Sequence, residues 1–377
     1  MYFANTKELN KADPSAELEK IPPPEVHRMH YRGCLLGILM GDCMGSAFKG
    51  QKGIDCKFKT TIQQYFDSME VPNSANVCPL KIYSDKTATT LVVLKYLLDR
   101  PDPPTTESMR YFAILLVDEY FKGYHRGYGQ NAASIFQTLR NIKFSNILLP
   151  ARVQPQNRES AGYGSAVRVA PIALFKYFDS DTMLDFVSNT SKVTHHNRVA
   201  VHAAMLQCLA IRRAVMYPEP LDVTAFCKYL QNEIKTIESN KLYPSEFEAP
   251  LFSKLIKMEC LLRRDHMDVP DHEVIEILGN GIEAHESVIT AIYCFLRTLD
   301  PVYGINTYYP VRRAIQYAVS LGGESDAIAS MAGALSGAHF GESHINMCSV
   351  QHCEAYQDIQ HWADKLVQHR FLYRDIL

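Results

Sequence analysis

His344, Cys348 and His352 recur at every fourth residue, and Cys353 follows directly. On one continuous helix they would share a face, and imidazole with thiolate is a zinc donor set. Only three ligands are in register, however, and a polar surface helix gives the same spacing, so the expectation is a helix face and not a metal centre. Ten cysteines run from Cys34 to Cys353 with no C-x-x-C pair. In a long chain without a secretory leader they read as reduced, mostly buried thiols.

A second pattern concerns backbone approach. Gly33, Gly37, Gly41 and Gly45 fall at intervals of four, on one stripe of an expected helix. Each glycine inside a helix costs about 0.8–1 kcal/mol relative to alanine, so four in register mark a face that another backbone approaches closely. The small-residue run Ala327–Ala338 (AIASMAGALSGA) is the expected partner, since Gly333 and Gly337 repeat the spacing. Tight packing of two central helices accounts for the stripe without a ligand role. Asp42 within the glycine helix argues against a membrane helix.

The elements that must hold these residues are helical by periodicity. Punctuation falls at Arg100–Pro104, Pro150–Glu159, Tyr217–Pro220 and Asp300-Pro301. No run of alternating strands, fixed-length repeat or low-complexity tract is visible. The expected fold class is all-α, with one helical domain over residues 29–377. Residues 1–28, polar and carrying Pro22-Pro23-Pro24, are expected to form a flexible leader. Lys+Arg 39 against Asp+Glu 41 leaves a net charge of -2, which excludes a generally basic surface for nucleic acid or an anionic membrane. The first residues lack a signal-peptide core, and no run reaches the roughly 18 uninterrupted apolar residues of a transmembrane helix. A cytoplasmic or nuclear monomer is expected.

Four segments, in order, resemble one family. GCLLGILMGDCMGSAF (Gly33–Phe48) is similar to the first helix of the ADP-ribosylglycohydrolases, and YSDKTATTLVVLKYLL (Tyr83–Leu98) to their Tyr-Thr-Asp-Asp-Thr helix start. GYGSAVRVAPIALF (Gly162–Phe175) resembles their Gly-Asn-Gly-x-x-Met-Arg-Val-x-Pro segment. SLGGESDAIASMAGALSGAHFG (Ser320–Gly341) resembles their Gly-Gly-Asp-Thr-Asp-Thr-Ile helix. LGNGIEAHESVITAIYCFLR (Leu278–Arg297) points to the branch that removes ADP-ribose from serine and cleaves poly(ADP-ribose). The resemblance implies a compact all-α fold with two magnesium ions in a cleft. Thr-Asp-Asp at one helix start and Asp-x-Asp-Thr at another would hold them, and a glutamate after the first helix would act as acid or base. Magnesium takes about six oxygen ligands at ~2.0–2.1 Å, and two neighbouring ions need several carboxylates to offset their repulsion.

The pattern departs at named positions. Thr-Asp-Asp is Ser84-Asp85-Lys86, Asp-x-Asp-Thr is Glu324-Ser325-Asp326-Ala327, and the glutamate position is Lys49. Ser84 keeps the hydroxyl and Glu324 can still ligate, whereas Ala327 deletes a ligand. Lys86 is decisive, because an ammonium has three donors and no acceptor. The five carboxylates of the family pattern are reduced to Asp85, Glu324 and Asp326, against Lys49 and Lys86, so the site charge is -3 + 2 = -1. The expectation is a self-neutralised site with Lys86 bridging Asp85 and Asp326, at most one weakly bound magnesium, and a Lys49 without catalytic function.

The resemblance places the ligand on better-kept loops. Arg126-Gly127-Tyr128-Gly129 matches a glycine loop whose backbone N–H groups suit a phosphate. Ser160-Ala161-Gly162-Tyr163-Gly164 stands for Ser-Tyr-Gly-Asn-Gly, with Tyr163 at the asparagine position. His195 stands near the implied pyrophosphate or distal ribose, and His285 at an adenine-stacking phenylalanine. Arg168 is expected to be structural and ion-paired. The implied function is that of a catalytically impaired relative that binds ADP-ribose or ADP-ribosylated protein. The alternatives are an active metal-dependent hydrolase and a partner-binding protein that uses only the fold.

Overall fold

The computed structural model describes residues 24–51, 56–71, 80–154, 161–216, 220–239 and 249–374. A long helix α1 (Pro24–Gly45) is followed by α2 (Cys56–Met69), α3 (Asp85–Asp99), α4 (Thr106–Lys122), α5 (Gln130–Asn141) and the single turn α6 (Leu149–Arg152). A 3-10 turn, Tyr163–Arg168, leads into α7 (Ala170–Lys176), α8 (Ser180–Lys192), α9 (Arg198–Met216) and α10 (Val223–Glu238). Then come α11 (Pro250–Leu262), α12 (Asp271–Leu278), α13 (Ala284–Arg297), α14 (Pro310–Ser320), α15 (Ser325–Phe340), α16 (Met347–Gln351) and α17 (Tyr356–Arg374). The fold class is all-α: the described residues contain no strand, only isolated bridges of Lys81 with Cys353 and Gly162 with Glu283.

The core is organised on α1 and α15, which pack against each other along the two glycine stripes. A Cβ added at Gly33 would lie 2.4 Å from Gly337 O, at Gly37 2.1 Å from Gly333 O, and at Gly41 2.3 Å from Ala329 O. No side chain fits there, which is the physical reason for glycine at each of these positions. Two buried hydroxyls are satisfied across the same seam. Ser330 Oγ donates to Ile38 O at 3.2 Å and Ser325 Oγ to Gly45 O at 2.9 Å. α14, α13 and α9 pack around α15. α9 has the length and composition of a membrane-spanning helix, but 67% of its most apolar window is buried, as in the core helix of a globular protein.

Two sequence expectations change. The leader assigned to residues 1–28 overlaps α1, which begins at Pro24; residues 1–23 lie outside the described residues. Proline suits a first helical turn because its N–H would be unpaired there anyway. Arg28 and Arg32 then anchor this end to Asp364 of α17, at 3.0 and 2.6 Å. The His-Cys-His spacing does not form one helical face. His344 ends a 3-10 turn with Nδ1 2.7 Å from Phe340 O, Cys348 lies in the short α16, and His352 caps that helix. The thiols of Cys34, Cys43, Cys208, Cys227, Cys294 and Cys353 are free and buried, and that of Cys260 is free and exposed.

Candidate functional site

Two helix N-termini meet at one end of α1. The first is that of α3, and Asp42 holds it. Fully buried on the glycine helix, this carboxylate accepts from Ser84 N at 2.9 Å and Ser84 Oγ at 2.5 Å, and from Thr87 N at 3.1 Å and Thr87 Oγ1 at 2.7 Å. Burial pushes the Asp42 carboxyl upward, while Lys86 and these donors oppose it. Ser84 is also the N-cap of α3, accepting from Lys86 N at 3.3 Å. A buried carboxylate one residue beyond Gly41 of that stripe thus sets where Asp85 and Lys86 stand.

The second N-terminus is that of α15, and glycines shape its approach. Gly322 and Gly323 have φ of +70° and +64°, and a Cβ on Gly323 would lie 2.2 Å from Asn280 O. Glu324 N donates to that same Asn280 O at 2.9 Å, and Asn280 Nδ2 donates to Leu321 O at 2.8 Å. Gly50 N donates to Gly323 O at 2.8 Å, and Gly323 N to Gln51 O at 3.1 Å. These reciprocal bonds bring the Lys49 segment alongside Glu324.

The side chains so placed form one charged cluster. Lys86 Nζ lies 2.9 Å from Asp85 Oδ1 and 2.8 Å from Asp326 Oδ2. Lys49 Nζ lies 2.9 Å from Glu324 Oε2 and 3.1 Å from Asp326 Oδ2. Tyr163 OH donates to Glu324 Oε2 at 2.5 Å. Lys86 and Asp326 are nearly inaccessible, with 3% and 2% of their side chains exposed, whereas Lys49 is 40% exposed. Burial pulls the Lys86 ammonium down, but Asp85 and Asp326 outweigh it and hold the group well above the ordinary lysine value. Burial pushes Asp326 up, and Lys86 and Lys49 bring it net below the ordinary carboxylate value. Burial, with Glu324 as a neighbour, keeps the Tyr163 phenol protonated. As arranged, these carboxylates face ammonium groups, and Ala327 offers only a backbone N–H, which donates to Asp326 Oδ1 at 2.9 Å. Among the described residues no group of three or more His, Cys, Asp or Glu is placed to hold a metal ion.

The other candidates surround the cluster. Gly127 adopts φ +80°, and neither it nor Gly129 has an atom within 4 Å of an added Cβ, so the backbone there is open to approach. Tyr128 packs with Tyr120 and Phe136, and burial, with Glu119 and Asp85 nearby, keeps its phenol protonated. Arg126 braces the loop through Glu354, at 2.5 Å, and Tyr83 O, at 2.9 Å. Gly162 pairs with Glu283, and Tyr163 N donates to Ile282 O at 3.2 Å, which joins this segment to the first turn of α13, where His285 stands. Burial and Lys254 lower the His285 pKa. Ser160 lies outside the described residues. His195 is buried, and burial with Arg168 nearby brings its pKa down to about 3, so the ring is neutral. Arg168 has neutral partners instead of the expected ion pair. It donates to Thr190 O at 3.0 Å and Thr194 Oγ1 at 2.7 Å and lies over the Phe112 ring, while burial lowers its pKa to about 10.

Sequence reasoning used Asp42 only as evidence against a membrane helix and passed over Asn280. The signal for Asp42 was its isolation, since a buried carboxylate needs donors and Ser84-x-x-Thr87 supplies them.

Known proteins resemble this chain over most of its length. The family model described as ADP-ribosylglycohydrolase matches residues 23–375. A human protein named ADP-ribosylhydrolase ARH3 is 34% identical over 347 residues, covering 89% of this chain and 92% of that protein. The protein of the same name from Gallus gallus is 33% identical over 356 residues, covering 92% and 93%. A solved structure titled ADP-ribosylglycohydrolase-related protein complex superposes with a TM-score of 0.60 at 19% identity, over 92% of this chain and 99% of that one. At that identity the structural likeness speaks for the fold alone.

Proposed function

This chain belongs to the ADP-ribosylglycohydrolase family, and we propose that it binds ADP-ribose or ADP-ribosylated protein while hydrolysing it poorly or not at all. The observation that carries the proposal is the position of Lys86 Nζ, 2.9 Å from Asp85 and 2.8 Å from Asp326. An ammonium there neutralises the carboxylates without accepting a lone pair, so it can replace the charge of an ion but not its Lewis acidity. Lys49 at the acid/base position is salt-bridged to Glu324 and Asp326, so a hydrogen-bond donor already engaged by two carboxylates stands where the family has a glutamate. What supports retained binding is the geometry of the surrounding loops: the open backbone at Gly127 and Gly129 and the neutral His195. The serine linkage of the ligand rests on the resemblance of Leu278–Arg297.

Tyr163 favours a second reading. The residue is 8% exposed and its hydroxyl donates to Glu324, an internal bond that suits a partner-binding protein that uses only the fold. Titration of free ADP-ribose, followed by assay of a serine-ADP-ribosylated peptide with magnesium, separates the two. Binding is expected, with turnover lower by roughly 10²–10⁴-fold than in a relative that keeps the acid/base glutamate. Absence of binding supports the second reading, and turnover at the relative's rate contradicts both.

A further inference from the structure

The 3-10 turn Tyr163–Arg168 touches two things at once. Its first residue reaches Glu324, and its last reaches Thr194 behind His195. The hydrogens of that second contact can be assigned by elimination. Arg168 carries donors only, so at 2.7 Å Thr194 Oγ1 must accept from Arg168 Nη2. The hydroxyl hydrogen then has two neighbours, Ser191 O at 3.4 Å and His195 Nδ1 at 2.8 Å. Ser191 O already accepts from Thr194 N at 3.0 Å and His195 N at 2.8 Å, which occupies both of its lone pairs. The hydrogen therefore goes to His195 Nδ1, and that nitrogen is an acceptor.

We propose that Arg168 and Thr194 are positioning residues that fix His195 in its Nε2–H tautomer, so that the ring presents a neutral N–H donor at Gly164 to an oxygen of the bound ligand. The Nε2 edge lies where a Cβ on Gly164 would come within 3.0 Å, so glycine is what leaves that edge room. The relay supplies what a pyrophosphate or ribose oxygen needs. The opposite tautomer would aim a lone pair at an acceptor-rich ligand, and a donor of fixed direction avoids that repulsion. The proposal rests on the ADP-ribose reading for the identity of the ligand, but not for the location of the proton.

Nitrogen-15 NMR of the ligand-free protein tests the proton directly. His195 Nε2 should give a protonated, pyrrole-type signal and Nδ1 an unprotonated, pyridine-type one. Thr194→Val removes the donor to Nδ1 and should broaden or mix these signals, with ADP-ribose affinity lower by roughly tenfold, the scale of one hydrogen bond. Thr194→Ser keeps the hydroxyl and should restore both readouts. A protonated Nδ1 in the wild-type protein, or a Thr194→Val protein with unchanged signals and affinity, overturns the relay. Wild-type protein that binds no ADP-ribose overturns the functional reading, and the nitrogen signals then decide the relay alone.

Discussion

Replacing Lys86 by Asp, Lys49 by Glu and Ala327 by Thr together should give a protein whose stability requires magnesium. The three changes convert two ammonium groups into carboxylates and add a hydroxyl, so the site goes from -3 + 2 = -1 to -5. Without an ion, five clustered carboxylates repel one another in a partly buried site, and the variant should unfold more readily than wild type. With magnesium present the same oxygens become ligands. Binding to the native state alone stabilises it by about 2.7 kcal/mol at a hundredfold excess over Kd. The expected result is a variant with a magnesium-dependent melting temperature, beside a wild-type protein whose melting temperature does not move. The backbone seats are in place for this: Asp42 fixes the start of α3, and Asn280 with the paired glycines fixes the start of α15. A variant that folds and still binds no ion would show that the site has been placed on the wrong residues.

Lys86→Met should be strongly destabilising, because it leaves Asp326 buried beside the weaker, exposed partner Lys49. Removing one member of a buried ion pair costs about 3–5 kcal/mol, and Lys49 at 3.1 Å from Asp326 places the expectation near the lower end. The pH dependence has a definite sign. Asp326 is held below its ordinary value of 3.8, so its contribution is present above that pH and is lost as pH falls through the folded value. Lys86 is held above its ordinary value of 10.5, so its contribution is present below that pH and is lost only as pH rises through the folded value. Urea unfolding should therefore show a constant gap between wild type and Lys86→Met from about pH 5 to 9, narrowing towards pH 3. A gap that stays the same at pH 3 would mean the methionine acts through packing and not through charge.

The fold was largely legible because its governing constraint is a spacing. Glycines at four-residue intervals can be read from the chain, and the small-residue run around Gly333 and Gly337 repeats the spacing within a helical stretch. The lysines were legible as substitutions in a motif, since Lys49 and Lys86 stand where the family has carboxylates. The bridge of Lys86 between Asp85 and Asp326 was legible as well, whereas the contacts of Lys49 and Tyr163 with Glu324 were not, because they depend on tertiary hydrogen bonds between segments far apart in sequence. The Asp42 carboxylate reaches Ser84 and Thr87, 42 and 45 positions away, and Asn280 reaches Leu321 and Glu324, 41 and 44 positions away, by tertiary contact alone. Arg168 shows the reverse error. A buried arginine suggests a carboxylate partner, but a carbonyl, a hydroxyl and an aromatic face can take its place where no carboxylate is in reach. The expected helical face failed for a local reason, since a four-residue spacing shares one face only along an unbroken helix and the chain turns between His344 and Cys348.

The central claim is that an ammonium group stands where the family's magnesium would bind. Calorimetric titration of the wild-type protein with magnesium, and with manganese as the more readily bound substitute, tests it most directly. No saturable binding heat is expected. Micromolar binding at two sites would contradict it and would mean that Lys86 gives way to an ion.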